Sequence, residues 1–115
     1  MHMKFRVELY ETRTGGCPVR NFPDKLKASD PDDFVAVVAG LAKLRTRKYH
    51  REPLCKALGN GLFELRHNTR VLWFFVKNSR IVAVHGIRSK GRAIPARDIG
   101  TATDRMRDWR KRNKQ

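Results

Sequence analysis

The residues of this chain most able to do chemistry are its arginines and lysines, and they gather towards one end. Residues 66–115 carry 14 Lys and Arg against 3 Asp and Glu, whereas residues 1–65 carry 12 against 8. A guanidinium fork grips two oxygens of a phosphate at once, and an ammonium adds a movable point charge. A field this one-sided draws polyanions, of which the phosphate backbones of nucleic acids are the commonest in a cell. An anionic membrane is the weaker partner, because no helix in the pattern pairs a basic face with large insertion residues along its length. The cations of this half include Arg66, Arg70, Arg88, Lys90 and Arg92, with Lys56 further upstream. Glu64 and His85 are the nearby groups able to exchange a proton.

The elements that must position these groups can be read from periodicity. Lys4 to Tyr10 alternates Phe5, Val7 and Leu9 with charged neighbours, a half-buried strand. Val19 to Leu26 suits a short helix interrupted near Pro23. Ser29-Asp30-Pro31-Asp32-Asp33 supplies an N-cap, a proline for the first helical position and two acids for the first turn. Phe34, Val37, Val38, Leu41 and Leu44 then follow 3–4 spacing, predicting a helix over about 31–48. From Gly59 the period shortens. Gly61–Arg66, Arg70–Lys77 and Arg80–Arg88 read as three consecutive strands joined by turns at His67-Asn68-Thr69 and Asn78-Ser79. Ser89 to Ile94 is a basic loop, and Pro95 opens a helix with Ile99, Ala102, Met106 and Trp109 on one stripe, its tail fraying after Trp109. The expected class is α+β: a twisted antiparallel sheet with helices on one face.

Turn lengths decide which cations meet. A two-residue turn pairing Lys77 with Arg80 sets Leu72 opposite His85 and Arg70 opposite Ile87. A three-residue turn pairing Arg66 with Arg70 then puts Arg66, Arg70 and His85 on one sheet face. Since strand side chains alternate, a slip of one residue separates them.

At GLFELR, RVLWFFV and VHGIRSKGRAIP the chain resembles the RelE superfamily of bacterial toxins, and more narrowly its HigB-like, phage-derived host-killing branch. The resemblance covers most of the chain and is strongest from Lys56 to Trp109. It implies one toxin domain over residues 1–115 and a ribosome-dependent mRNA endonuclease of a type II toxin–antitoxin system. The implied partners are the ribosome, mRNA and a helix-turn-helix, HigA-like antitoxin, with operator DNA reached only through that antitoxin. The family's catalytic positions fall on Arg66 and Arg70 and on the segment of Arg88, Lys90 and Arg92, with Lys90 the best match. RelE has a lysine where this chain has Glu64, and a tyrosine after the basic segment where this chain has Pro95-Ala96-Arg97.

RNA can be cut without metal when its own 2′-hydroxyl attacks the adjacent phosphate and cations stabilise the added charge, a task suited to Arg66, Arg70 and Arg88. Lys90 can supply a point charge or a proton to the leaving oxygen. Each residue also has a plainer use. Arg66 can pair with Glu64, His85 can be a core histidine with satisfied nitrogens, and Arg88, Lys90, Arg92 and Lys56 can be solvated. Trp73, Phe74 and Phe75 read as core before they read as a base-stacking platform. Cys17, Cys55, His50 and His67 lack metal-ligand spacing, so neither metal nor cofactor is expected. The 115 residues and 40% hydrophobic content suit a single, reduced, cytoplasmic domain without a signal or membrane segment. The competing function is a non-catalytic, basic nucleic-acid-binding accessory protein of a phage or mobile element.

Overall fold

A computed structural model describes residues 4–88 and 92–113. Its elements in chain order are β1 (Arg6–Leu9), α1 (Pro18–Ser29), α2 (Pro31–Lys43), β2 (Cys55–Gly59), β3 (Leu62–Leu65), β4 (Thr69–Val76), β5 (Arg80–Arg88) and α3 (Ala96–Asn113). The α+β class holds. The five strands form one sheet in the order β1-β5-β4-β3-β2, in which β1 runs parallel to β5 and the other pairs are antiparallel. The sheet is therefore mixed rather than antiparallel: α1 and α2 carry the chain to the far edge at β2, and the meander from β2 to β5 then brings β5 back beside β1 in the same direction.

The helices cover both faces, where one was expected. Val71, Trp73, Ile81 and Ala83 pack with Val19, Leu26, Val37 and Leu44 from the α1–α2 side. Leu72, Phe74, Val82 and Val84 pack with Ala102, Met106 and Trp109 from α3. The cause is legible in RVLWFFV: a strand apolar at successive positions must be buried on both sides. Trp109 anchors α3 edge-on against Phe74, their centroids 5.7 Å apart. Beyond it α3 continues to Asn113, with Arg112 held by Asp108 (2.8 Å) and by the Glu11 carbonyl (2.5 Å).

α2 begins as expected: Asp30 accepts from the Asp33 N–H at 3.2 Å and Pro31 occupies the first turn. It stops at Lys43, earlier than residue 48. Arg45 and Thr46 leave the helix to meet the start of the chain, where Thr46 bridges Lys4 and the Arg45 carbonyl accepts from Phe5 N–H. A 3-10 turn, Arg47–Tyr49, follows. α1 includes Pro23 in its interior. β2 gave no sequence signal, since Lys56, Ala57 and Gly59 are poor strand formers.

The β4–β5 hairpin differs in one instructive way. Val76, not Lys77, pairs with Arg80, so the loop is Lys77-Asn78-Ser79, with Asn78 and Ser79 at φ 66° and 55°. A bulge then adds one residue to β5: Trp73 faces Ala83 but Leu72 faces His85. The extra residue in the loop and the extra residue in the strand cancel. Leu72 opposite His85 and Arg70 opposite Ile87 are both found. Val84 and His85 consequently both face α3.

Candidate functional site: a charged row on the α3 face of the sheet

Lys56, Glu64, Leu72 and His85 are successive partners across β2, β3, β4 and β5, so they form one row on the sheet face that α3 covers in part. Arg66 and Arg70 flank the β3–β4 turn one step beyond that row, on the same face. The strict alternation that made their grouping conditional on register therefore brings Arg66, Arg70 and His85 to one face, and Glu64 joins them there.

Glu64 is the centre of the group. Only 4% of its surface is exposed. Its Oε2 accepts from Arg70 Nη1 at 3.1 Å, and its Oε1 lies 3.5 Å from Arg66 Nε. A carboxylate so enclosed is tolerable only beside cations, and here there are two. The two arginines differ. Arg70 is itself buried, whereas the Arg66 side chain is 37% exposed and reaches a second carboxylate, Glu52, at 3.7 Å. Arg66 is the looser clamp. Lys56 is exposed opposite Glu64. An open cleft of about 460 Å³ lies beside the group, lined by Arg66, His67, Asn68 and Arg70 and by Asp33, whose carboxylate accepts from the Thr69 hydroxyl.

His85 is held at both nitrogens. Arg105 Nη1 donates to Nδ1 at 2.9 Å, and a guanidinium has nothing but donors, so the ring proton sits on Nε2 and goes to Asp98 Oδ1 at 2.8 Å. Arg105 also donates to the Val84 carbonyl at 2.9 Å. Burial lowers the Arg105 pKa, and Tyr10 opposes that shift. His85 thus takes the plainer of its two readings: it pins α3 to β5. Arg105 and Asp98 were not singled out from the sequence. Their placement follows from the apolar stripe of α3, because a stripe centred on Ala102, Met106 and Trp109 turns both towards β5.

The remaining candidates lie elsewhere. Arg88 is opposite Thr69, on the α1–α2 face, and donates to Asp30 Oδ2 at 2.6 Å. The structure separates it from Arg66 and Arg70, because Ile87, not Arg88, shares their face. Arg92 is exposed before α3. Lys90 lies outside the described residues. Cys55 is fully buried and burial pushes its thiol up to about 11, the wrong direction for a nucleophile. Among the described residues no group of three His, Cys, Asp or Glu could hold a metal ion, and no helix is long and apolar enough to cross a membrane.

The arrangement offers guanidiniums for the oxygens of a phosphate and a carboxylate between them able to take a proton. The profile of the family described as phage-derived protein Gp49-like (DUF891) matches residues 20–107, and so spans α1 through most of α3. The chain belongs to that family. Gp49-like proteins form a RelE/HigB-like toxin family, and the α+β architecture with a C-terminal helix is consistent with a small RelE-like fold. A search of the curated proteins finds no match.

Proposed function

We propose that this Gp49-like protein is the HigB-like toxin of a type II toxin–antitoxin pair, acting in the cytoplasm as a metal-independent endonuclease on messages being translated. The observation that carries the reading is the Glu64 carboxylate held between the Arg66 and Arg70 guanidiniums, which themselves line an open cleft. A phosphodiester entering the cleft exchanges Arg66 away from its two long carboxylate contacts. Arg66 and Arg70 then hold the non-bridging oxygens, and Glu64, relieved of one cation, takes the proton of the 2′-hydroxyl. The 2′-oxygen bonds to phosphorus and the bond to the 5′-oxygen breaks. Lys56, whose backbone pairs with that of Glu64, protonates the leaving oxygen. The products are a 2′,3′-cyclic phosphate and a 5′-hydroxyl.

A free nuclease with a net charge of +15 needs restraint in its host, which supports an acidic or helix-turn-helix antitoxin as partner. The test uses a message on programmed ribosomes. Wild type should cut it, leaving the cyclic phosphate or its hydrolysed 3′-phosphate, and Arg66→Ala should slow cleavage by about 10²-fold, as for loss of one transition-state donor. A message with a 2′-deoxy nucleotide 5′ of the cut should bind but stay whole. Cleavage of the deoxy message at the normal rate, or intact messages with folded wild type, overturns the proposal. Retained RNA binding without cutting would favour the accessory-protein reading.

A further inference from the structure

The opposite face of the sheet carries a pocket that the charged row does not use. Phe75 is 38% exposed, although it belongs to the apolar strand β4. Its ring meets His50 at 5.3 Å, Trp73 at 4.8 Å and Phe63 at 5.1 Å, all near perpendicular, and Phe5 at 6.0 Å. His50 is fixed by a 2.6 Å hydrogen bond to the Leu44 carbonyl. The exposed side of this cluster opens into a cleft of about 770 Å³ floored by Phe5, His50 and Phe75 and rimmed by Arg47, Lys48 and Arg51, with no acid in its lining. Aromatic rings locked against one another beside unopposed cations suit a base and its phosphate.

The cleft is also connected. Lys48 and Arg51 line a second cleft of about 410 Å³ together with Lys43, Tyr49, Glu52 and Arg66. Arg66 in turn lines the cleft beside Arg70. Three clefts therefore run in series, each sharing at least one cation with the next. In the middle one the Tyr49 ring has the Lys48 ammonium 5.1 Å and the Lys43 ammonium 5.6 Å from its centroid. The acids along the route are already engaged: Glu52 with Arg66 at 3.7 Å, and Asp33, buried, with the Thr69 hydroxyl.

We infer that single-stranded RNA leaves the Arg66–Arg70 site along Arg51 and Lys48 and seats one of its bases against Phe75 and Phe5. The inference rests on the proposed cleavage site only for where the strand starts; the aromatic pocket is a separate RNA-binding site. It makes the chain a reader of a nucleotide several positions from the cut. Such a contact is stacking, and it takes any base that presents a flat face.

The probe is a fluorescein-labelled, single-stranded nonauridylate with 2′-O-methyl groups, which cannot be cut through its own 2′-oxygen. Phe75→Ala should weaken its binding by about tenfold, the size of one base–aromatic stack. Arg51→Ala should weaken it less and lower its salt dependence. Phe75→Trp should restore binding, which a merely structural role of the ring would not predict. Independently of any variant, a nonamer carrying 5-iodouridine should photocross-link to Phe75, Phe5 or His50. Wild type that cleaves messages but shows unchanged nonamer binding in Phe75→Ala, with cross-links away from these rings, overturns the track and leaves the proposed function standing. Cross-links at these rings in a protein that cuts nothing would uphold the pocket and sink the nuclease.

Discussion

The two faces of the sheet are made by the same strands, yet they solve different problems. On the α1–α2 face the buried charge among the described residues is one carboxylate, Asp33. Asp33 and Thr69 satisfy each other, Arg88 reaches out to Asp30, and the rest of the layer is apolar down to the aromatic cluster around Phe75. On the α3 face a carboxylate and a guanidinium are buried next to the core, one row from Phe74 and Leu62. Burying such a pair is not an efficient way to stabilise a sheet, because desolvation cancels most of the attraction. The first face is organised for packing and the second retains a costly arrangement. That asymmetry is the physical argument for placing function at Glu64 and Arg70 rather than at Arg88.

The largest expected effect breaks that arrangement. Arg70→Ala leaves Glu64 buried with only the half-exposed Arg66 beside it and should cost about 3 kcal/mol of stability. Replacing both partners, Glu64→Gln with Arg70→Met, should recover most of that loss in urea unfolding while leaving RNA cleavage abolished. A double variant as unstable as Arg70→Ala would show that the pair supports the fold, and the contrast between the faces would lose its meaning.

How far the sequence reached differs between the same two faces. The grouping of Arg66, Arg70 and His85 was legible from strand alternation, given the turn at His67-Asn68-Thr69. It survived a misread hairpin only because the three-residue loop at Lys77-Asn78-Ser79 is offset by the bulge at Val84. A bulge has no propensity signature in RIVAVHGIR, so its presence could not be read. The parallel placement of β1 was equally hidden, since β1–β5 pairing joins residues more than 70 apart in the chain. α2 ended early for the same kind of reason: Thr46 pairs with Lys4, a distant contact that overrides a continuing 3–4 pattern. The exposure of Phe75 was missed because composition marks β4 as buried throughout, whereas its ring opens onto the cleft it shares with Phe5 and His50. Arg88 was grouped with Arg66 and Arg70 by resemblance rather than by register; the pairing of Arg70 with Ile87 already sets Arg88 on the other face.

A smaller effect is expected from the packing face. Gly86 lies opposite Val71, where a Cβ would approach Phe22 Cδ1 to 2.9 Å. Phe22 is half-buried on α1 and can yield in part, so Gly86→Ala should cost about 1 kcal/mol, at the low end for overpacking. Adding Phe22→Leu should remove most of that penalty, a coupling readable as a double-mutant cycle. Because Glu64, Arg66 and Arg70 face the other way, cleavage at temperatures well below unfolding should be unchanged. A loss of cleavage in folded Gly86→Ala would mean that the two faces are not independent.

The smallest effect separates the two histidines. His85, towards α3, has both ring nitrogens hydrogen-bonded. His67, in the β3–β4 turn, has Nε2 buried with no hydrogen-bond partner among the described residues, 3.1 Å from where a Gly40 Cβ would stand. Burial lowers the His67 pKa below its ordinary 6.5; the Lys43 ammonium adds to the shift and the Asp33 carboxylate opposes it. The unfolded chain therefore takes up a proton at His67 near pH 6.5 that the folded chain refuses. The stability tied to the uncharged ring is complete above pH 6.5 and is lost as the pH falls towards the lower, folded value. One proton limits the slope to at most about 1.4 kcal/mol per pH unit. His67→Leu keeps the position apolar and removes the proton. Urea midpoints of wild type and variant, followed from pH 7.5 to 5.5, should diverge below 6.5, with wild type falling faster. Parallel curves would mean that the folded protein accommodates the protonated ring, and that the α1–α2 face tolerates charge at its edge as readily as the α3 face does.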